Sequence, residues 1–404
     1  MKLSVENRAA LEKRIDGSCS PDTSIVRRYR DAVRFDDRPE RDLAFRRILP
    51  ESSIREGVRI VPLPAYRGVA IHLLDETSRM ATGSLKSIDG CLTTSFCRAE
   101  GVGRIAFESG GNTGSALTRY GRNAGLETFF FCPRENVDLL DSGLFRDRKA
   151  HLVGVEDRGR VKEFTALFAK TAGIRRVPEK SWRYAAGMFR GLFLLEHMLT
   201  TGGFDWISQT VSAAFGPIGI YGVLKAFREE LRMLPRFLGI QQEANCPMFR
   251  AWNPEAARRL GNAGQEPGRL LARIMYDDSP DTHGTCGDLQ DLLLQTRGDL
   301  LTVNGEEFDA RLDPSAEFGP VLEMLRSRDI AITLRSGQVT EKTGLIALAG
   351  TLKAIDAGTI RRGSRVLCCL TSGVSETDGL AQPERSVRND REVLDYAESV
   401  REGR

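Results

Sequence analysis

A chain of 404 residues, 41% hydrophobic and 28% charged, can bury a large core beneath a charged surface; this argues against disorder of the whole and suits two lobes or an elaborated α/β unit. Fifty-eight Lys and Arg stand against fifty-five Asp and Glu, so the net charge of +3 gives no broad positive field for a phosphate backbone, and nucleic acid is not an expected partner. No uncharged apolar run reaches the roughly 18 residues of a bilayer span, so no membrane association is expected.

Residues 1–60 mix arginine and aspartate, with Ile25, Val26, Tyr29 and Val33 at helical spacing, and predict one or two solvated helices packed on the body. The acids interleaved in "RRYRDAVRFDDRPERDLAFRR" disfavour a nucleic-acid arm. From residue 58 onward, short apolar runs alternate with longer amphipathic segments. "GVRIVPL", "VAIHLLD", "GRIAFES", "ETFFFCP", "AHLVGVE", "TVSAAFG", "RFLGIQQ", "DIAITL" and "SRVLCCLTSG" have the length and composition of buried strands. Between them "GSALTRYGRNAG", "RVKEFTALFAKTAG", "AAGMFRGLFLLEHMLTTGG", "YGVLKAFREELRM" and "TGLIALAGTLKAIDAG" read as helices, several finishing on a glycine that can close a helix in the left-handed conformation. The alternation predicts parallel sheets covered by helices on both faces. Residues 381–404 are charged and read as a terminal helix or tail.

The eight cysteines show no C-x-x-C spacing and no apolar signal segment opens the chain, from which a soluble protein of the reducing cytoplasm is expected. His72, His151, His197 and His283 are scattered, with no H-x-x-x-H pair to hold a metal. The crowd of polar groups in "DDSPDTHGTCGD" reads as a solvated loop rather than a metal site.

In an open α/β sheet, ligands bind where loops leave the carboxyl ends of strands, and three such junctions are unusual. In "GRIAFESGGNTGSALTRYG" a strand ends at Glu108, a turn runs from Ser109 through Gly110, Gly111, Asn112 and Thr113, and a helix follows from about Ser115. Glycines let backbone approach a ligand, and the helix start offers free N–H groups, which together make a cradle for a carboxylate or phosphate. A dinucleotide fingerprint is the rival reading; the spacing is not G-x-G-x-x-G, and the next strand ends in Cys132-Pro133 where a ribose-binding acid is wanted. In "TVSAAFGPIGIYGVLKAF", Gly216, Gly219 and Gly222 form a second glycine turn at a helix mouth, suited to a phosphate or to close helix packing. The third junction ends a buried strand in the hydroxyls of Thr371 and Ser372, which require partners.

Together with Lys86 in "TGSLKSIDG", these segments occur in an order that resembles the fold-type II pyridoxal phosphate enzymes, nearest the threonine synthase group, with cysteate synthase, cysteine synthase and serine or threonine dehydratase as wider kin. The likeness extends over residues 20–380 and takes in "SIVRRYRDAV", "RFLGIQQEANCPMFRAW" and "EKTGLIALAGTLKAIDAGTIRRGSRVLCCLTSG". It implies a homodimer of α/β fold, tryptophan synthase β-like, with two lobes that each hold a mainly parallel sheet flanked by helices. A large cofactor-binding domain would comprise 61–95 and 195–380, a small mobile domain 96–194, with 1–60 packed on the large domain and 381–404 as the C-terminal tail or helix. It also implies pyridoxal 5'-phosphate as cofactor, joined to Lys86 as an internal imine, with Lys86 serving as catalytic base. Asn112 would meet the ring hydroxyl, Ser109 to Thr113 the substrate carboxylate, Gly216, Pro217, Ile218 and Gly219 the cofactor phosphate, and Thr371 or Ser372 the pyridine nitrogen. The implied reaction is elimination or replacement at Cβ or Cγ of an activated amino acid, with O-phosphohomoserine to threonine as the lead case and replacement on O-phosphoserine or another serine ester as the alternative. A nucleotide-dependent oxidoreductase and a non-catalytic binding protein are the readings from other classes. The chain departs from the group in Leu85 before the lysine, in Ser87, Ile88 and Asp89 after it, in Pro217 and Ile218, and in lacking a zinc ribbon; these departures bear on substrate rather than cofactor.

Overall fold

The computed structural model describes residues 2–261, 269–313, 315–318, 321–330, 342–372 and 379–403. "ETFFFCP" shows how the sequence builds the sheets. Phe129 and Phe131 point to one face of the strand Glu127–Pro133 and Phe130 and Cys132 to the other, and all four are buried, as a central parallel strand covered on both sides requires. Phe129 and Phe131 pack with Phe164, Phe168 and Tyr396 from two covering helices, Val161–Ala172 and Asp390–Arg401.

That strand lies at the centre of a five-stranded, all-parallel sheet in the order Arg385–Val387, Ala150–Val155, Glu127–Pro133, Arg104–Glu108, Arg175–Arg176. A larger sheet of six strands runs Asp299–Val303, Arg236–Gln242, Trp206–Thr210, Arg365–Leu370, Ala70–Asp75, Arg59–Pro62; only the last of these is antiparallel to its neighbour. Helices Lys180–Thr201, Phe215–Ala226 and Thr343–Asp356 cover it. Glycine closure is seen at Gly125, Gly173, Gly202 and Gly358, each with positive φ just after a helix. No helix among the described residues is long and apolar enough to cross a membrane.

Four details refine or correct the sequence reading. Of the helix or tail expected over 381–404, the helix is present as Asp390–Arg401 and covers the small sheet, whose edge strand Arg385–Val387 supplies. Helix Lys180–Thr201 packs lengthwise on Phe215–Ala226, so residues 180–194 side with the large sheet. "TVSAAFG" is loop and helix start; the strand is the preceding Trp206–Thr210, whose Ser208 and Thr210 are hidden by hydrogen bonds to Thr351 and Thr343 and so lack an apolar signature. The N-terminal segment is buried rather than solvated at its apolar positions, with Ile25, Val26, Tyr29 and Val33 fully enclosed and Tyr29 donating to Glu196. Of "DIAITL", residues 331–334 lie outside the described residues, as do Glu341 and Gly373 of the closing segment.

Candidate active site

The carboxyl ends of both sheets face one cleft of about 670 Å³, within the range of small-molecule sites. Lys86 lines it from the first position of helix Lys86–Ala99, and its Nζ lies 3.2 Å from Asp89 Oδ2, one turn on. The lysine side chain is 28% exposed and the aspartate 4%, so the amine faces the cleft while its counter-ion is sealed behind it. The residues before the lysine are tied to the last strand of the large sheet: Leu85 N–H donates to the Thr371 carbonyl at 2.9 Å, and Ser84 forms a backbone bridge with Ser372. Lys86, Thr371 and Ser372 are thereby held at one wall.

Ser109, Gly110, Gly111, Asn112 and Thr113 line the opposite lobe of the cleft. The helix begins at Asn112, three residues earlier than expected, because Gly111 caps it; a Cβ there would lie 2.9 Å from Ile274 Cγ2, so the segment over the cleft excludes a larger residue. Ser109 Oγ accepts from Gly111 N–H at 3.1 Å, and Asn136 Nδ2 donates to the Gly110 carbonyl at 2.9 Å, fixing the turn with the helix mouth open to the cleft.

The second cradle is displaced from its expected place. The chain turns at Ser212, Ala213 and Ala214, with Ala214 in the left-handed region at φ 55°, and helix Phe215–Ala226 begins before the glycines. Ser212 to Gly216 line the cleft; Pro217, Ile218 and Gly219 do not, since they lie within the helix. Gly219 instead meets Gly187 of helix Lys180–Thr201, where a Cβ would come within 2.7 Å of the Gly187 Cα. The glycine spacing is a helix-packing signal at Gly219, and Gly216 alone of the expected four faces the cleft.

Residues that sequence reasoning passed over complete the walls. Arg190 is 1% exposed, gives Nε and Nη2 to the two oxygens of Glu76, and gives Nη2 to Gln209 Oε1 at 2.7 Å. Burial raises the Glu76 carboxyl and would lower Arg190, but the carboxylate against it raises the guanidinium. The segment read as a solvated loop lines the cleft with Asp277, Asp278, Thr282 and His283. Burial pushes the Asp277 carboxyl up, yet hydrogen bonds from His283 at 2.9 Å and Ser212 at 2.7 Å hold it below the usual range. No group of three or more His, Cys, Asp or Glu close enough for a metal occurs among the described residues. Arg158, Arg176, Lys180, Arg183 and Arg273 add positive charge to the lining, and burial lowers the Arg183 guanidinium, which lies 5.2 Å from the Phe215 ring.

Four buried polar atoms in this lining have no protein hydrogen-bond partner; Arg158 Nε is ion-paired with Glu135, which leaves Arg190 Nη1, Thr371 Oγ1 and Ser372 Oγ. Such atoms are costly unless a ligand meets them. An amine, two N–H cradles and two waiting hydroxyls on one cleft fit pyridoxal phosphate, which needs an amine for its aldehyde, donors for its phosphate and a partner for its ring nitrogen.

No family model matches the chain. Solved structures with similar backbones include diaminopropionate ammonia lyase from Escherichia coli, with TM-score 0.59 and 12% identity over 97% of this chain and 96% of that one. Maize serine racemase aligns with TM-score 0.57 and 15% identity over 83% and 95%. This chain has the fold of the fold-type II pyridoxal phosphate enzymes. Among characterised sequences similar to it, the cysteate synthase of Methanosarcina acetivorans is 25% identical over 325 residues, 76% of this chain and 72% of that protein. The cysteate synthase of Methanosarcina mazei is 23% identical over the same shares.

Proposed function

We propose that the chain is a pyridoxal phosphate enzyme that replaces or eliminates the β substituent of an activated serine, with Lys86 as its anchor and proton carrier. The observation that carries the reading is the convergence on one cleft of the Lys86 amine, the Ser109–Thr113 turn, the Ser212–Gly216 turn and the unpartnered Thr371 and Ser372 hydroxyls. Pyridoxal 5'-phosphate, when bound, supplies an aldehyde for the amino group and a ring that stores the electrons left at Cα.

This chain's residues do the rest. The Ser109–Thr113 turn and the helix mouth behind it hold the substrate carboxylate by N–H donors, which fixes Cα over the Lys86 wall. Lys86 would take the Cα proton, and Asp89 at 3.2 Å tethers its amine at the cleft wall. A hydroxyl from Thr371 or Ser372 at the ring nitrogen favours no permanent charge there, unlike a carboxylate, and suits moderate electron withdrawal and loss of a leaving group. Arg183 in the lining favours an anionic leaving group or an anionic incoming nucleophile, while Arg158, Arg176 and Arg273 are already paired with Glu135, Glu108 and Asp138. Similarity to cysteate synthases supports a serine ester over O-phosphohomoserine, the lead case from the sequence.

The test is a panel of O-phosphorylated, O-acetylated and free serine, threonine and homoserine, with release of phosphate or acetate measured with and without sulfite and sulfide. Turnover of a serine ester is expected. Turnover of O-phosphohomoserine alone would restore the threonine synthase reading, and release from no member of the panel by protein carrying the cofactor would end both.

A further inference from the structure

Helix Lys180–Thr201 brings a charge to a place where most side chains are apolar. Arg190 lies between the buried Phe189 and Leu192, and its guanidinium is held flat by both oxygens of Glu76 and by Gln209 Oε1. Those contacts employ Nε and Nη2 and leave Nη1 without a partner, although the atom is buried. Nη1 is directed at the mouth of helix Phe215–Ala226: a Cβ built on Gly216, the second residue of that helix, would collide with it. The guanidinium thus occupies the volume where a side chain of the turn would otherwise reach into the cleft.

The turn itself is poor in donors. Ala213 and Ala214 carry no polar side chain, the Ser212 hydroxyl is committed to Asp277 Oδ2 at 2.7 Å, and Pro217 removes an N–H from the first helical turn. An anion at this helix mouth would be left with the remaining backbone N–H groups alone. Arg190 Nη1 is the charged donor positioned to make up the deficit, and a guanidinium already fixed by two partners loses little freedom on binding.

We propose that Arg190 is a ligand of the cofactor phosphate, reaching it from beneath the Ser212–Gly216 turn, with Glu76 and Gln209 as the residues that aim it. The assignment rests on the pyridoxal phosphate reading, and one comparison separates the two. Pyridoxal has the same aldehyde and ring without the phosphate. Wild type, Arg190→Lys and the double variant Glu76→Met/Arg190→Met are titrated with each compound, following the near-ultraviolet absorbance of the bound chromophore, and melted with and without inorganic phosphate. The double variant removes both buried charges together, an exchange that folded proteins commonly tolerate. The expected result is a loss of about tenfold or more in affinity for pyridoxal phosphate, less than about twofold for pyridoxal, and loss of the melting shift given by phosphate. Arg190→Lys keeps the charge on a different geometry and is expected to fall between. Equal losses for the two compounds in both variants, or no loss for either, overturn the assignment. A wild type that takes up neither compound sinks the cofactor reading instead; phosphate protection of wild type but not of the double variant would still uphold Arg190 as an anion ligand, and protection of both would remove it.

Discussion

Gly187→Ala tests whether the second cradle is held in place by helix packing. A Cβ on Gly187 would lie 2.6 Å from the Gly216 carbonyl oxygen, 2.8 Å from the Gly219 Cα and 3.0 Å from the Phe215 carbonyl oxygen. All three are backbone atoms, so no rotamer change relieves the clash, and helices Lys180–Thr201 and Phe215–Ala226 must separate by about half an ångström. Three simultaneous backbone contacts put the overpacking near the upper part of the usual range, ~3 kcal/mol, and the better helix propensity of alanine offsets about 1 kcal/mol, which leaves ~2 kcal/mol of net destabilisation. Two of the three struck atoms belong to residues that line the cleft, so the cofactor phosphate should also be held less well. The assay is a denaturant midpoint together with a pyridoxal phosphate titration. Gly222→Ala on helix Phe215–Ala226 is the control: it is exposed, nothing lies within 4 Å of its Cβ position, and it should gain up to about 1 kcal/mol. A Gly187→Ala protein with wild-type midpoint and affinity would refute the reasoning, as would an equal loss in Gly222→Ala.

Lys86→Ala is expected to lower turnover by roughly 10²–10⁴-fold or more, with some loss of melting temperature because the buried Asp89 carboxylate is left unpaired; borohydride treatment followed by peptide mapping should place the cofactor on residue 86 in wild type and nowhere in the variant. Thr371→Val keeps the backbone bond from Leu85 and removes only a hydroxyl, so it should change the absorbance of the bound cofactor and cost about tenfold in kcat with little change in stability; unaltered spectra in both Thr371→Val and Ser372→Ala would remove hydroxyls from the ring-nitrogen site. At the edge of the small sheet, burial pushes His151 down, but hydrogen bonds to Glu384 at 2.8 Å and Glu127 at 3.2 Å raise it, while His151 lowers Glu384. A raised histidine stabilises fully below its unfolded value of 6.5 and loses that contribution as pH climbs through the folded value; the lowered Glu384 stabilises above 4.5 and loses its contribution as pH falls. Thermal melts should therefore show stability declining from about pH 6.5 upward, and His151→Gln should flatten that slope.

Apolar runs were the most legible part of the chain. "RFLGIQQ" and "ETFFFCP" coincide with the strands Arg236–Gln242 and Glu127–Pro133, because strands buried on both faces keep a short apolar run at their centre, Phe237–Ile240 and Phe129–Cys132. "WISQT" is hard to read as a strand because Ser208 and Thr210 are satisfied by partners more than a hundred positions away, and "RSV" because an edge strand of three residues has too little periodicity to register. At the cleft, Lys86, Ser109 to Thr113, Thr371 and Ser372 stand out as functional residue types at strand ends. Along Gly216 to Gly219 the glycine spacing looks alike whether it admits a ligand or a neighbouring helix; Gly187, at the matching place in the preceding helix, is the clue to the second use. Arg190 had a signal too. A lone arginine inside "AAGMFRGLFLL" must find a counter-charge when its helix is buried, but no pattern in the sequence says that the partner is Glu76.

The edge strand Arg385–Val387 has a consequence for how the chain is made. It pairs with Ala150–Val155, a separation of roughly 230 residues, and such distant pairing closes slowly. On the ribosome, the parallel edge at Ala150–Val155 stays open until nearly the whole large sheet has emerged, leaving unpaired N–H and C=O groups in a Phe-rich sheet ready to recruit a second nascent chain. Removal of Arg385–Val387 would make that transient exposure permanent, so this strand guards a sheet edge although it lies far from Lys86 in sequence.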